Sequence, residues 1–419
     1  MEFGHRRFWT SRLYCHTIQN GRDYFDIRTN LVVQRFSPMI IERYILTSVL
    51  SDLQSKMVFL GGPRQVGKTS LAEAIMQRFE GSVSFNYDNL KQRRQMRDEV
   101  WADTDSLLVF DELHKMPKWK SWIKGIYDVE KTKHKFLVTG SAKLDVYRKG
   151  GDSLLGRYHY WRMHPFTIDE YPANLSLKET VVRLMTIGGF PEPFLNMDQR
   201  NADRWRKDRF DRVLHDDLRS LDLIRDMNSL EVLVDILRER VSSTLAAANI
   251  ARDLELSSKT VSRWIQSLEK MYLIFTVFPY AAKGLSRSLT KPAKAYFYDN
   301  GDVLGDQGAV FENLVATTLL KRLHWLEDYA GRRCALHYLR DKDGRECDFL
   351  TLIDKKPDLM IEVKLRDEGI SDGLRYYADR IRPRRAIQLC LELERPYTRG
   401  SIDVMDLQAF VASEPAFCI

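Results

Sequence analysis

Cysteine is scarce in this chain. The five in 419 residues, Cys15, Cys334, Cys347, Cys390 and Cys418, never stand at C-x-x-C spacing. That argues against a zinc ribbon or a disulfide framework and suits a reducing, cytoplasmic setting. Long apolar runs are missing too: none reaches the length of a membrane span. The amino terminus lacks the continuous apolar stretch of a secretory signal. No membrane partner is expected. Charge of either sign is only mildly in excess, with a formal net charge of +7. Such a balance permits contact with nucleic acid without requiring it. Hydrophobic residues make up 44% and charged residues 29%, ordinary values for a globular protein, and the length calls for two or three domains.

What is present is organised around one stretch, GGPRQVGKTS. It sets Gly62, Gly67, Lys68 and Thr69 at G-x-x-x-x-G-K-[ST] spacing. An apolar run, residues 57–60, precedes it as a buried strand. Leu71, Ala74 and Ile75 follow at helical spacing. Strand, glycine loop and helix is the setting of a phosphate-binding loop. Residue frequencies give roughly 0.01–0.02 chance matches in a chain this long. The binding set is Gly62, Pro63, Arg64, Gln65, Val66, Gly67, Lys68, Thr69 and Ser70. Backbone N–H groups and the helix start would face the phosphates of ATP. Lys68 would reach the β- and γ-phosphates, and Thr69 would hold Mg²⁺.

Around the loop, residues 1–38 show little periodicity. They form either a weakly ordered extension or an overextended start, with Met39 the working initiator. A helix is expected from Ile45 to Leu53, a strand at 82–86 and a basic surface helix at 91–97. The run Leu107-Leu108-Val109-Phe110-Asp111-Glu112 is an apolar strand ending in two acids. Asp111 is placed to hold Mg²⁺, and Glu112 to deprotonate the attacking water. The strand at 135–141 ends in small polar residues. There Ser141 or Thr139 would sense the γ-phosphate, or cap a helix. Arg157 would reach phosphates from this subunit or a neighbouring one, or lie on the surface.

GGPRQVGKTSL, LLVFDELHK, FLVTGSAK, the SLLGR…HPFTIDEY run and IGGFPEPFL together resemble a prokaryotic group of AAA+-type ATPases with a C-terminal domain of unknown function. The resemblance covers about Met39 to the end of the chain. It implies an additional-strand, doubly wound P-loop core, and it makes Arg64 and Arg157 phosphate-contacting residues.

Leu230, Leu233, Val234 and Leu237 mark an amphipathic helix. An Ala-rich helix (244–253), a turn, and a helix capped by Ser257 or Ser258 follow. That last helix has Val261, Trp264, Ile265 and Leu268 on one face and Lys259, Arg263, Gln266 and Lys270 on another. A strand at 272–277 completes a winged-helix pattern, suited to DNA or to protein contacts. A basic linker with Lys283, Arg287, Lys291, Pro292 and Lys294 leads to a strand at 295–299.

Glu312 opens the next helix. Asp348 lies on a strand, and Glu362 and Lys364 share one face of the following strand. Three carboxylates and a lysine can serve metal-assisted hydrolysis, with Asp348 and Glu362 as Mg²⁺ ligands. The set resembles the PD-(D/E)xK nuclease superfamily, with Cys347 in place of the leading proline. The resemblance gives Asp348, Glu362 and Lys364 that motif's positions and Glu312 its helix acid. The fold implied is restriction-endonuclease-like, whether cutting or catalytically silent.

The expectation is therefore an α/β chain of four parts. An extension (1–38) precedes a doubly wound P-loop AAA+ ATPase domain (39–175). A helical and winged-helix domain (176–285) and a nuclease-like domain (286–419) follow. ATP and Mg²⁺ are the expected cofactors and DNA the expected partner, a homo-oligomer being compatible. The activity expected is ATP hydrolysis coupled to DNA binding, with or without DNA cleavage.

Overall fold

The computed structural model describes residues 42–140, 154–218, 226–280 and 292–417. The 1–38 extension, Ser141, Cys15, Cys418 and the linker cations Lys283, Arg287 and Lys291 lie outside the described residues.

Five apolar runs become five strands: β1 (Met57–Gly61), β2 (Ser82–Asn86), β3 (Leu107–Asp111), β4 (Lys135–Thr139) and β5 (Tyr158–Arg162). They pair in parallel in the order β2-β3-β4-β1-β5. β4 thus separates the loop-bearing strand from the strand that ends in Asp111, the additional-strand order. Alternation along each strand divides the apolar side chains between two layers. Val58, Leu60, Val109, Leu137 and Trp161 face the helices Leu46–Asp52 and Lys68–Met76. Met57, Phe59, Phe110, Phe136 and Tyr160 face the helix Trp119–Glu130. Both faces are covered, as a parallel sheet requires.

The middle of the chain runs helix Met227–Glu239, β6 (Thr244–Leu245), helices Ala247–Asp253 and Ser258–Lys270, then β7 (Ile274–Pro279) and β8 (Ala293–Phe297). Thr244 pairs with Lys294 as a strand rather than opening a helix. Of the two candidate caps, Ser257 is the one used: its hydroxyl accepts from the Thr260 N–H. Val261, Trp264 and Leu268 are buried, whereas Lys259, Arg263, Gln266 and Lys270 are exposed.

The last module runs helix Gln307–Ala330, β9 (Cys334–Arg340), β10 (Glu346–Ile353), β11 (Lys356–Arg366), helix Asp372–Ile381 and β12 (Arg385–Glu392). β13 (Tyr397–Arg399), β14 (Ile402–Asp406) and helix Leu407–Ser413 close it. Its strands join the middle hairpin in one mixed sheet, β13-β14-β12-β11-β10-β9-β7-β8-β6. Asp354 and Lys355, both at positive φ, make the two-residue turn between β10 and β11. Among the described residues no helix is long and apolar enough to cross a membrane.

Candidate nucleotide site and a second carboxylate cluster

In a parallel sheet the strands all end on one edge, and this edge collects the polar residues. Leu60, Thr139, Asp111 and Asn86 stand in one cross-strand row. The glycine loop leaves β1 directly beyond that row. Gly62 has φ +141°, and a Cβ there would meet the Met163 carbonyl oxygen at 2.4 Å; Gly67 has φ +98° at the start of the helix. A side chain at Gly62 would therefore clash as well as strain the backbone. The Lys68 ammonium folds onto the loop, donating to the carbonyls of Gly62 at 3.1 Å and Pro63 at 2.6 Å. Thr69 and Ser70 are exposed at the helix start.

Asp111 is held from three sides. Thr139 Oγ1 donates to it at 2.5 Å, Asn86 Nδ2 at 3.0 Å and the Glu112 N–H at 3.1 Å. Burial raises its carboxyl above the ordinary range, against the hydrogen bond from Thr139. Glu112 sits at φ +55°, where the chain turns off the strand. Its Oε2 is buried without a hydrogen bond among the described residues, and it lies 3.2 Å from Lys115 Nζ and 3.6 Å from His114 Nε2. An exposed hydroxyl at the helix start, a fixed carboxylate and a second carboxylate ion-paired with Lys115 suit Mg²⁺ and a polyphosphate.

Arg157 is elsewhere. It precedes β5, and its carbonyl accepts from Met57 N–H at the start of β1, so it occupies the opposite edge of the sheet. There it pairs with Asp128 at 2.7 Å. Within one chain Arg157 therefore does not reach the loop, which leaves the other two expected placements, a neighbouring copy's site or the surface. Arg64 lies in the loop, half-buried.

Residues that sequence reasoning missed hold the loop from behind. Arg43 donates to the Val66 carbonyl at 2.7 Å, to the His164 carbonyl at 2.6 Å and to Glu170 at 2.7 Å. Lys321, on the long C-terminal helix, donates to the same Glu170 and to the Pro165 carbonyl. Burial works against the charge of Glu170, but Arg43 and then Lys321 hold its pKa down at about 2. Burial pushes Lys321 down to about 8, against the pull of Glu170. Asn86 could have been found as the polar end of a strand in register with Asp111. Nothing local singles out Arg43 or Glu170.

The second cluster lies in the last module. The Phe349–Ile361 register sets Asp348 beside Glu362, and the Val363 N–H donates to Asp348 Oδ2 at 2.9 Å. Lys364 Nζ lies 2.9 Å from Glu362 Oε1. Glu312 arrives from its helix and accepts from the Tyr296 hydroxyl at 2.7 Å. Burial, then the Asp348 charge, push Glu312 up to about 8 and Glu362 up to about 7. All four expected residues are therefore brought together. Two unexpected ones join them, Glu346 and Lys294. Lys294 comes from β8, and its ammonium lies 2.6 Å from Glu346, 3.3 Å from Glu312 and 3.6 Å from Asp348. Among the described residues no three His, Cys, Asp or Glu side chains are disposed to hold a metal ion. The expected Mg²⁺ ligands Asp348 and Glu362 adjoin, and the Lys294 ammonium lies beside Asp348.

Residues 54–172 match the AAA domain family. Two further segments match families described as domains of unknown function, DUF8612 at residues 178–303 and DUF4143 at residues 307–410. The first of the three is an AAA-type P-loop segment. Uncharacterized proteins of Mycobacterium bovis and Mycobacterium tuberculosis are each 24% identical over 271 residues, 64% of this chain. The chain spans 60% of the length of these relatives. Among solved structures, a Walker-type ATPase of Pyrococcus abyssi aligns at 14% identity and TM-score 0.38, covering 63% of this chain and 94% of that one. The Thermotoga maritima RuvB Holliday junction branch migration motor aligns at 16% and 0.31, over 61% and 92%. The Aeropyrum pernix Orc1 protein in complex with DNA aligns at 13% and 0.30, over 66% and 93%. At such scores the fold is read from this chain's own strand order.

Proposed function

We propose that this chain is an ATP-hydrolysing protein whose nucleotide state governs contact with DNA. The observation that carries the reading is the row of Asn86, Asp111 and Thr139 beside the loop that holds Lys68 and Thr69. The loop amides and Lys68 bind the phosphates. Thr69 and Asp111 would hold Mg²⁺, which when bound would supply neutralisation of phosphate charge. Glu112 takes a proton from water, whose oxygen bonds to the γ-phosphorus as the bond to the bridging oxygen breaks. Asn86 and Thr139 keep Asp111 in place. Arg157 contributes only if it serves the site of a neighbouring copy.

The helix–strand–helix–helix–hairpin order of residues 227–297 supports a winged-helix reading, in which the Ser258–Lys270 helix would take the recognition position. Its exposed Lys259, Arg263 and Lys270 suit DNA phosphates. The last module, with helix, three strands, helix and strand, supports a PD-(D/E)xK-like fold. A second reading, DNA binding without cleavage, is favoured there by the ammonium of Lys294 among the carboxylates.

Retention of duplex DNA across a salt series, with ATP or ADP present, tests the DNA half. Retention should differ between the nucleotides. Replacing Lys259, Arg263 and Lys270 together by alanine should flatten the log–log salt slope by roughly 0.9 for each phosphate contact removed. Retention that ignores both salt and nucleotide would leave a protein-contacting ATPase.

A further inference from the structure

Lys294 belongs by chain to the middle hairpin, where it pairs with Thr244 on one side and Val277 on the other. Its side chain nevertheless runs into the last module and is 3% exposed. A buried ammonium is costly unless it is paired, and here the partners are carboxylates from two elements. Glu312 comes from the long helix, and Glu346 and Asp348 come from β10. Glu346 and Asp348 are two residues apart on one strand, so both point to the same side. Burial opposes the lysine's charge, but Glu312, Asp348 and Glu346 outweigh it and hold the group above the usual lysine range.

A divalent ion in an oxygen cage draws its ligands to about 2.0–2.6 Å. The Lys294 ammonium already stands among the oxygens that would have to converge. Three of the remaining oxygens are engaged: Asp348 Oδ2 by the Val363 amide, Glu362 Oε1 by Lys364, and Glu346 Oε2 by Arg340 at 3.3 Å, whereas Glu362 Oε2 is buried without a hydrogen bond among the described residues.

We propose that Lys294 is the resident cation of the C-terminal carboxylate cluster, standing where a divalent metal would otherwise bind and keeping metal out. The cluster is then an internal salt bridge that fastens the hairpin to the last module, not a metal-dependent cutting site. The inference is independent of the ATP reading, because a dead phosphate loop would leave metal binding without nucleotide unchanged.

The test is Mn²⁺ titration of the full chain without nucleotide, read as bound against free ion. Wild type should bind no Mn²⁺ above the level of Asp348→Asn. Lys294→Met, similar in length and uncharged, should gain one site, and adding Asp348→Asn should remove it. Wild-type binding that Asp348→Asn abolishes would overturn the proposal, since metal would then enter beside the lysine. So would a folded Lys294→Met protein that gains no site. If Lys294→Met does not fold, Lys294→Gln takes its place with the same two outcomes, and the wild-type comparison decides even without either variant.

Discussion

The phosphate-loop site and the C-terminal carboxylate cluster use the same residue types in opposite ways. In the first, the lysine rests on backbone carbonyls of its own loop, and Glu112 keeps a buried oxygen without a hydrogen bond among the described residues. In the second, a lysine from another module pairs with Glu312, Glu346 and Asp348, and Glu362 alone keeps a buried oxygen without a hydrogen bond among the described residues. Acids and a lysine in one place do not by themselves make a catalytic site. What matters is whether the cation is supplied by the chain or has to come from outside.

The contrast can be broken or sharpened by substitution. The largest effect is expected at the first site. Lys68→Ala should abolish ATP binding. Glu112→Gln should bind ATP while losing turnover by roughly 10²–10⁴-fold, the scale of a positioned general base. Nucleotide binding and steady-state phosphate release measured on both variants check this, and unchanged turnover in either would refute the assigned role.

A smaller effect is expected at Glu170, which joins the back of the loop to the C-terminal helix through Arg43 and Lys321. Glu170→Gln leaves both cations without their counter-charge and should destabilise the protein by about 3–5 kcal/mol. The folded pKa of this carboxyl is about 2 against an ordinary 4.5. Its stabilisation is therefore present above pH 4.5 and lost as the pH falls towards 2. The gap in unfolding midpoint between wild type and Glu170→Gln should be widest near neutrality and should narrow in acid. A gap independent of pH would mean that the charge is not what matters.

The smallest effect is expected at Lys364. It is half-exposed and pairs with Glu362 alone in the described contacts, so Lys364→Ala should change stability by no more than about 1 kcal/mol. ATP turnover should be unchanged. A wild-type DNA-cutting activity that disappears in Lys364→Ala would break the contrast between the two sites.

The sequence exposed the first site well because its chemistry lies in contiguous runs. Loop, strand and acids follow one another, and the apolar alternation of Leu107 to Phe110 fixes which residue ends the strand. The last module's acids were also legible, since Glu362 and Lys364 alternate on one strand and Glu312 opens a helix. What stayed hidden depends on distant pairing. Arg43 and Glu170 are 127 residues apart and Glu170 and Lys321 are 151 apart, with nothing local to link them. Lys294 reads from the sequence as a linker cation, whereas it lies in β8 and its buried side chain crosses into the last module, which nothing local reveals. For Arg157 the sequence leaves open this subunit, a neighbouring one or the surface, because only the topology shows which edge it occupies. It precedes its strand, and in a parallel sheet that is the edge away from the loop.

The most direct single measurement is the number of Mn²⁺ ions bound per chain, by electron paramagnetic resonance, with and without a non-hydrolysable ATP analogue. The account predicts one ion that requires the analogue and is lost in Lys68→Ala, and none without nucleotide. An ion bound without the analogue and lost in Asp348→Asn would contradict it, and would make the last module the metal site.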